Sequence, residues 1–395
     1  MSGEGASAIH LRRDLHRLYG DRFQPASNLR SVGTVWPLNT WEVSAATSLA
    51  SKVGVPLAVT RPAGPNSIRP AADALAVCLD RMDKVLHVDT DRQLAKVQCG
   101  ATWTAVADIV ASHCLMPRVL PVCPDHATIG SFLGEGGRGS GSFEFGRLQD
   151  NVQRARVVAA DGRISLIAGG RLDVSRSNGA WDIATELTIA LQPLVAMRPL
   201  VGAFDDATAL QACLADIART RVPVWSVNLL DPAAGALRNP LDERSRLTVP
   251  PGRYAALFVV RKNDDWVAAH VCGAVANAAG RILQHSGSLQ EWTSRFTAPS
   301  RALTPLMTSV RLELGQLTQL LCWMRPSTRA RLAFQGLLSD CARSLTLDWF
   351  PVAAGQSVAD NAVLATDLLA LAHNLGAEVG HQARTLPQLP AWPDS

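Results

Sequence analysis

Apolar residues recur along this chain with two periods, and the switches between them mark its elements. Near the start Ile9, Leu15 and Leu18 fall at roughly helical spacing, with Arg12, Arg13, His16 and Arg17 turned elsewhere and Gly20 placed as a C-cap. The pattern predicts a surface helix; a helix docking on a membrane surface or a partner is the alternative. Asn39 and Thr40 precede a helical stretch from Trp41 to Lys52 that Gly54 ends, and VPLAVT (55–60) follows as a strand. The segment RPAGPNSIRP (61–70), with three prolines and one glycine, fits neither a helix nor a central strand. Three β-like runs come next, AVCLD (76–80), KVLHVD (84–89) and QLAKVQC (93–99), the last two paired as a hairpin through Thr90-Asp91-Arg92. Thr102 is placed as the N-cap of an amphipathic helix with Trp103, Val106, Val110 and Cys114 on one face. RARVVAADGRISLIA (154–168) reads as a second hairpin turned at Asp161-Gly162, and IATELTIAL (183–191) as a strand closed by Pro193.

Beyond Pro193 the composition shifts. Residues 203–219 have a helical pattern, VWSVNLL and YAALFVV are strand-like, WVAAHVCGAVANAAG is an Ala-rich helix, and TLPQLPAWPDS is an extended proline-rich tail. The expected organisation is a helical segment over 1–29, one domain over 30–195 and an α+β domain over 196–395. At 395 residues, 47% hydrophobic and 18% charged, the chain is a packed globular one and not a disordered scaffold. A formal charge of +4 with scattered basic residues makes no electrostatic case for nucleic acid. No apolar run reaches the roughly 18 residues that span a bilayer, and the N-terminus lacks the order of a signal peptide. Eight cysteines without a CxxC, several inside apolar runs, point to a reducing, cytoplasmic setting and supply no iron–sulfur ligand set. Peripheral attachment at the inner face of the membrane is compatible with that setting.

The densest local signal is PDHATIGSFLGEGGRGSGSFEFGRLQDNV (124–152), with seven glycines in 29 positions. Glycine is entropically costly, so such a cluster marks a backbone that approaches something closely. GEGGRG (134–139) satisfies GxGxxG, but that fingerprint requires a strand before and a helix after, and SGSFEFG is a poor helix. A nicotinamide cofactor is therefore set aside. A pyrophosphate held by backbone N–H groups from two short loops, one at 61–67 and one in the glycine-rich segment, accounts for both together.

At this point the chain resembles the FAD-binding domain shared by vanillyl-alcohol oxidase and the FAD-linked dehydrogenases of hydroxy acids, sugars and alcohols. The resemblance is carried in order by VWPLNTWEV (35–43), VPLAVTRPAGPNS (55–67), VCLDRMDKVLHVD (77–89), VQCGATWTAVADIVASHCLMP (97–117), the glycine-rich segment, RVVAADGRI (156–164) and SNGAWDIATELTIALQPL (177–194). It implies an α+β fold, a two-subdomain PCMH-type FAD-binding domain followed by an α+β cap or substrate domain. It also implies that Arg61, Pro62, Ala63, Gly64, Pro65, Asn66 and Ser67 form the first pyrophosphate loop, that Thr128, Ile129 and Gly130 pass close to the flavin, and that Gly139, Ser140, Gly141 and Ser142 contribute a second loop. Asp150 and Val152 match the D-x-V leading into the next strand, and Ile183 the place where the domain's last strand brings backbone near the cofactor. Two family glycines are here Pro62 and Pro65, which lack the N–H a pyrophosphate would use. Attachment through a histidine near the first loop is not expected, because none occurs between residues 17 and 86; FAD should be noncovalent.

The chemistry implied is oxidation of a hydroxyl-bearing small molecule, a 2-hydroxy acid such as glycolate, an alcohol or a sugar, by a flavin that takes the hydride. His285 is the candidate general base, whereas His270 in WVAAHVCG reads as a packed histidine. His126 near Cys123 has a place near the flavin edge as its functional reading, and Arg138 and Arg147 pairing with phosphate as theirs. His373, Glu378 and His381 do not match the family's metal motif, so no metal is expected. The few catalytic groups and short second half also resemble the FAD-binding subunit of multi-subunit bacterial glycolate oxidase. That resemblance implies a partner flavoprotein or an iron–sulfur electron-transfer subunit, or a catalytically reduced subunit that scaffolds such a complex.

Overall fold

The computed structural model describes residues 3–26, 32–60, 74–121, 124, 127–169, 172, 182–238, 249–283, 308–324, 326–352 and 358–379. They divide into two units, one of the described residues up to Gly137 and from Leu148 to Leu194, the other of Arg138–Arg147 and of those from Val195 onward. The class is α+β, as the sequence predicts.

The first unit has two sheets. One runs β1 (Phe23–Pro25), β2 (Gly33–Val35), β4 (Leu75–Cys78), β3 (Leu57–Thr60), with β2, β4 and β3 parallel and β1 antiparallel. Every residue of β4 is buried, as a central strand covered on both faces requires. Helix α2 (Thr40–Lys52) opens where the Asn39 side chain accepts a hydrogen bond from Glu42 N at 3.0 Å. Helix α1 (Gly3–Tyr19) forms, but its inner stripe is Leu11, Leu15 and Tyr19, while Ile9 and Leu18 are half exposed. This corrects the stripe predicted from sequence. Leu11, Leu15 and Tyr19 stand four residues apart on one face, and Tyr19 is a core residue whose hydroxyl donates to Glu42 O; burial raises its pKa.

The second sheet is antiparallel, in the order β5 (Val85–Asp89), β6 (Leu94–Gln98), β10 (Ile183–Pro193), β8 (Val152–Val158), β9 (Ile164–Ala168), with β7 (Leu115–Pro117) also on β10. Both predicted hairpins, β5/β6 and β8/β9, are present. Helix α3 (Trp103–Ala111) is capped by Thr102 Oγ1, which accepts from Ala105 N at 3.3 Å, and buries Trp103, Val106 and Val110. Cys114 is not on that buried face. The helix has ended, and Cys114 is exposed in a left-handed conformation (φ 58°) that turns the chain into β7.

In the second unit one antiparallel sheet has the order β14 (Arg281–Ile282), β11 (Met197–Phe204), β13 (Tyr254–Arg261), β12 (Ser226–Leu230), β16 (Leu332–Ser339), β17 (Ser344–Pro351), β15 (Thr308–Leu312), β18 (Glu378–Val379). Val227, Leu229, Phe258, Phe334, Leu347 and Trp349 on one face form a core with α6 (Ala207–Thr220), α8 (Asp265–Asn277), α9 (Leu317–Trp323) and α10 (Val358–Asn374). The helix expected over 203–219 starts later, at Ala207, because Phe204 still belongs to β11 and Asp206 accepts the cap hydrogen bond from Ala209 N at 2.8 Å. No described helix is long and apolar enough to cross a membrane.

Candidate functional site

The start of the glycine-rich segment packs against the strand-to-helix turn after β6. Ile129 N donates to Ala101 O at 2.9 Å and Gly130 N to Cys99 O at 2.7 Å, while Thr102 and Thr128 form an isolated bridge. A Cβ on Gly130 would stand 3.0 Å from Cys99 O, and one on Gly100 would strike Leu79 O at 1.9 Å. Helix α4 (Ile129–Gly134) closes its own N-terminus with a capping box: Ser131 N donates to Thr128 Oγ1 at 3.1 Å and Thr128 N to Ser131 Oγ at 3.0 Å. The N–H groups of Ile129, Gly130 and Ser131 are thus spent inside the protein. Thr128 and Ile129 are themselves buried, and Thr128–Gly130 have no free N–H to offer a ligand.

Farther along, the glycines of GEGGRG make unequal demands. Gly134 has open space around it, whereas Gly136 (φ 96°) and Gly137 (φ 64°) are left-handed, and a Cβ on Gly137 would meet Gln149 Oε1 at 2.4 Å and Leu148 Cβ at 2.8 Å. Gly136 and Gly137 thus need to be glycine and Gly134 does not, which is unlike a dinucleotide fingerprint where the first glycine makes the tight turn. Gly139 N donates to Ser142 Oγ at 2.9 Å, Ser142 N to Gly139 O at 3.0 Å, and Gly141 is left-handed at φ 89°. Ser140 and Ser142 are buried. A cradle for a pyrophosphate needs backbone brought close by residues without bulky side chains; Gly139–Ser142 are such residues, but the N–H groups of Gly139 and Ser142 are taken up inside the turn. This turn belongs to the second unit, as does α5 (Ser142–Phe145), whose Ser142 O and Phe143 O accept from Asp340 N and Cys341 N at 2.9 Å.

Within the first unit Asp150 is exposed in the turn before β8, and Val152 and Ile183 are buried on paired strands. Val152 lies opposite Ile189 and Val158 opposite Ile183, so Val152 and Ile183 mark opposite ends of the β8/β10 pair. At the rise of an antiparallel strand, six residues separate them by about 20 Å. One compact ligand cannot touch both; an extended one can. Arg61–Ser67, His126 and His285 lie outside the described residues.

A polar cluster that the sequence reading missed sits beside this strand pair. Glu186, on β10 next to a register shift, is approached by Lys96 Nζ at 2.8 Å and by Arg156 Nη1 at 3.1 Å; Thr185 Oγ1 donates to Arg156 O at 3.0 Å and lies 2.8 Å from Thr40 Oγ1. The cluster ties α2 to the second sheet. Strand alternation hid it, since the bulge lets two successive residues, Thr185 and Glu186, turn to the same neighbours. Burial raises the thiols of Cys78 and Cys213, to about 11 and about 12, and that of Cys99 further, so these remain protonated packing groups. His270 Nε2 lies 2.9 Å from Thr220 Oγ1, joining α8 to α6, a packing role. Arg138 Nη2 is 3.8 Å from Asp340 Oδ2, and Glu378 pairs with Arg311. Among the described residues no three His, Cys, Asp or Glu side chains are grouped to hold a metal.

Comparison with known proteins gives this geometry its context. Residues 32–167 match the family model described as an FAD binding domain. The chain carries an FAD-binding domain. FAD is the cofactor for which that domain is built. An uncharacterized FAD-linked oxidoreductase of Mycobacterium tuberculosis is 30% identical over 175 residues, covering 40% of this chain and 37% of the relative. The glycolate oxidase subunit GlcD of Escherichia coli is 23% identical over 219 residues, covering 52% of this chain and 44% of the relative. The chain thus spans less than half the length of these curated relatives. Among solved structures, alkyldihydroxyacetonephosphate synthase superposes with a TM-score of 0.73 at 14% identity, over 94% of this chain and 80% of the other. p-Cresol methylhydroxylase with substrate bound gives 0.69 at 14% identity, over 94% and 88%. These likenesses establish the PCMH-type fold around the FAD-binding domain.

Proposed function

We propose that this protein is an FAD-linked oxidase or dehydrogenase that oxidises a hydroxyl-bearing small molecule, in the first instance a 2-hydroxy acid such as glycolate, with noncovalent flavin. The observation that carries the reading is the match of residues 32–167 to an FAD binding domain, within which Gly139–Ser142 is a turn of small residues. When bound, FAD supplies the acceptor for the hydride that leaves the carbinol carbon.

The chain's own part is to hold and orient. Gly139–Ser142 and the sequence-predicted loop Arg61–Ser67 would hold the phosphates, the latter with fewer N–H donors because of Pro62 and Pro65. The Thr128–Gly130 backbone, its N–H groups already paired, would leave hydrogen bonding of the cofactor to other residues. Val152 and Ile183, at the two ends of one strand pair, suit an extended cofactor. His285 is assigned the proton of the substrate hydroxyl as the carbon–oxygen double bond forms. A partner subunit that accepts the electrons belongs to the same proposal, because GlcD, the glycolate oxidase relative, is by its name a subunit.

The purified full chain should show the visible absorbance of oxidised flavin, and anaerobic addition of glycolate or D-lactate should bleach it. Protein that stays yellow with all 2-hydroxy acids, sugars and alcohols tried, or that binds no FAD on reconstitution, would sink the proposal in favour of a scaffolding subunit.

A further inference from the structure

In the sheet of the second unit, β17 and β15 turn an apolar side to the helices and a polar side away from them. Along β17 the residues Leu345, Leu347 and Trp349 enter the core, which turns Ser344, Thr346 and Asp348 to the opposite face. Arg311 on β15 is the direct cross-strand partner of Thr346, and Ser344 stands two positions before Thr346 on β17. Arg138 lies beside Asp340, the residue that follows β16, and that strand's last residue, Ser339, is the partner of Ser344.

Four buried polar atoms in this neighbourhood have no hydrogen-bond partner among the described residues: Arg138 Nε, Arg311 Nε, Ser344 Oγ and Thr346 Oγ1. Native proteins leave few such atoms, because each costs about 1–3 kcal/mol when unsatisfied. Four in one neighbourhood describe the complement of something polar. All four can donate, and two belong to cations, so that complement is a small anion rich in acceptors. Each guanidinium is already turned by a carboxylate, Arg311 by Glu378 and Arg138 by Asp340, which holds the side chains in place and leaves their Nε edges. Burial and then the nearby Arg311 charge lower the Arg138 pKa, against the opposite pull of Asp340 and Glu378. On the same face Asp348 accepts from Ser309 Oγ at 2.6 Å and from Gln335 Nε2 at 3.2 Å. It stands two residues, about 7 Å, along the strand from Thr346.

We propose that Arg311, Arg138, Thr346 and Ser344 form a binding site for the carboxylate of a small monocarboxylic acid, with Asp348 repelling a second carboxylate. The site rests on the unit's own geometry. Its assignment to the substrate rests on the oxidoreductase reading above, within which it selects 2-hydroxy monoacids over neutral alcohols, sugars and hydroxy diacids.

The test uses the full-length purified protein and two readouts, calorimetric binding and anaerobic flavin bleaching, with glycolate, ethylene glycol and malate as probes. Glycolate should bind and the other two should be at least tenfold weaker. Arg311→Met should weaken glycolate roughly 10- to 100-fold and Thr346→Val, nearly isosteric, roughly 3- to 10-fold, each with an unchanged melting temperature. If Arg311→Met misfolds, Thr346→Val decides alone. Glycolate binding that is absent, or matched by ethylene glycol, or insensitive to a folded variant, overturns the site. Binding that depends on Arg311 without bleaching keeps the site and removes the oxidoreductase reading; bleaching that ignores these variants does the reverse.

Discussion

Asp231 should make the second unit less stable as pH rises through the weakly acidic range. Its carboxylate is 8% exposed and caps α7 (Pro232–Arg238), Oδ1 accepting from Ala234 N at 2.7 Å. Burial pushes its pKa up from 3.8 to about 7, more than the backbone hydrogen bonds and Arg329 pull it down. A carboxyl with a raised folded-state pKa takes up a proton on folding between the two values. There is no penalty below the unfolded pKa of 3.8; it grows as pH rises, and above about 7 it is present in full. A shift of about 3 units corresponds to roughly 4 kcal/mol at most. Asn is an equally good N-cap and does not titrate. Urea unfolding of the wild type and Asp231→Asn at pH 5 and pH 8 should therefore show the wild type losing about 2–3 kcal/mol more than the variant over that interval, with other groups cancelling in the difference. Equal losses in the two proteins would refute the argument that burial dominates this carboxyl.

The other expectations follow from particular contacts. Leu15→Ala should cost about 2–5 kcal/mol and Leu18→Ala within about 0.5 kcal/mol, since only Leu15 is buried; equal melting temperatures would contradict the stripe Leu11, Leu15, Tyr19. Gly100→Ala should destabilise the first unit by about 3 kcal/mol or more, because its Cβ would meet the Leu79 carbonyl at 1.9 Å, whereas Gly134→Ala, with open space, should be neutral or slightly stabilising; thermal melts distinguish them. Replacing Pro62 and Pro65 together by glycine restores two N–H donors in the first loop. The variant should retain more FAD through gel filtration than the wild type, and a lower flavin-to-protein ratio would count against a pyrophosphate role for that loop.

The sequence by itself determined most of the elements and the cofactor class. Helix caps at Asn39 and Thr102 and hairpin turns at Thr90–Arg92 and Asp161-Gly162 are local signals, legible because a few adjacent residues decide them. The order of loops and strands around the glycine-rich segment was enough to separate an FAD fold from a nicotinamide one. What it could not supply was which of several equivalent apolar positions faces inward, as in α1, where Tyr19 and not Leu18 completes the buried stripe. Nor could it tell which glycines are required: Gly134 and Gly137 look alike in GEGGRG, and only the left-handed backbone of Gly137 and the Gln149 and Leu148 packed against it separate them. Arg311 meets Thr346, and Glu186 meets Lys96 and Arg156, through strand pairings between residues far apart in the chain. Such contacts are set by register and by a bulge, properties of paired strands and not of either strand alone, so the candidate carboxylate site became visible only when the sheet was assembled.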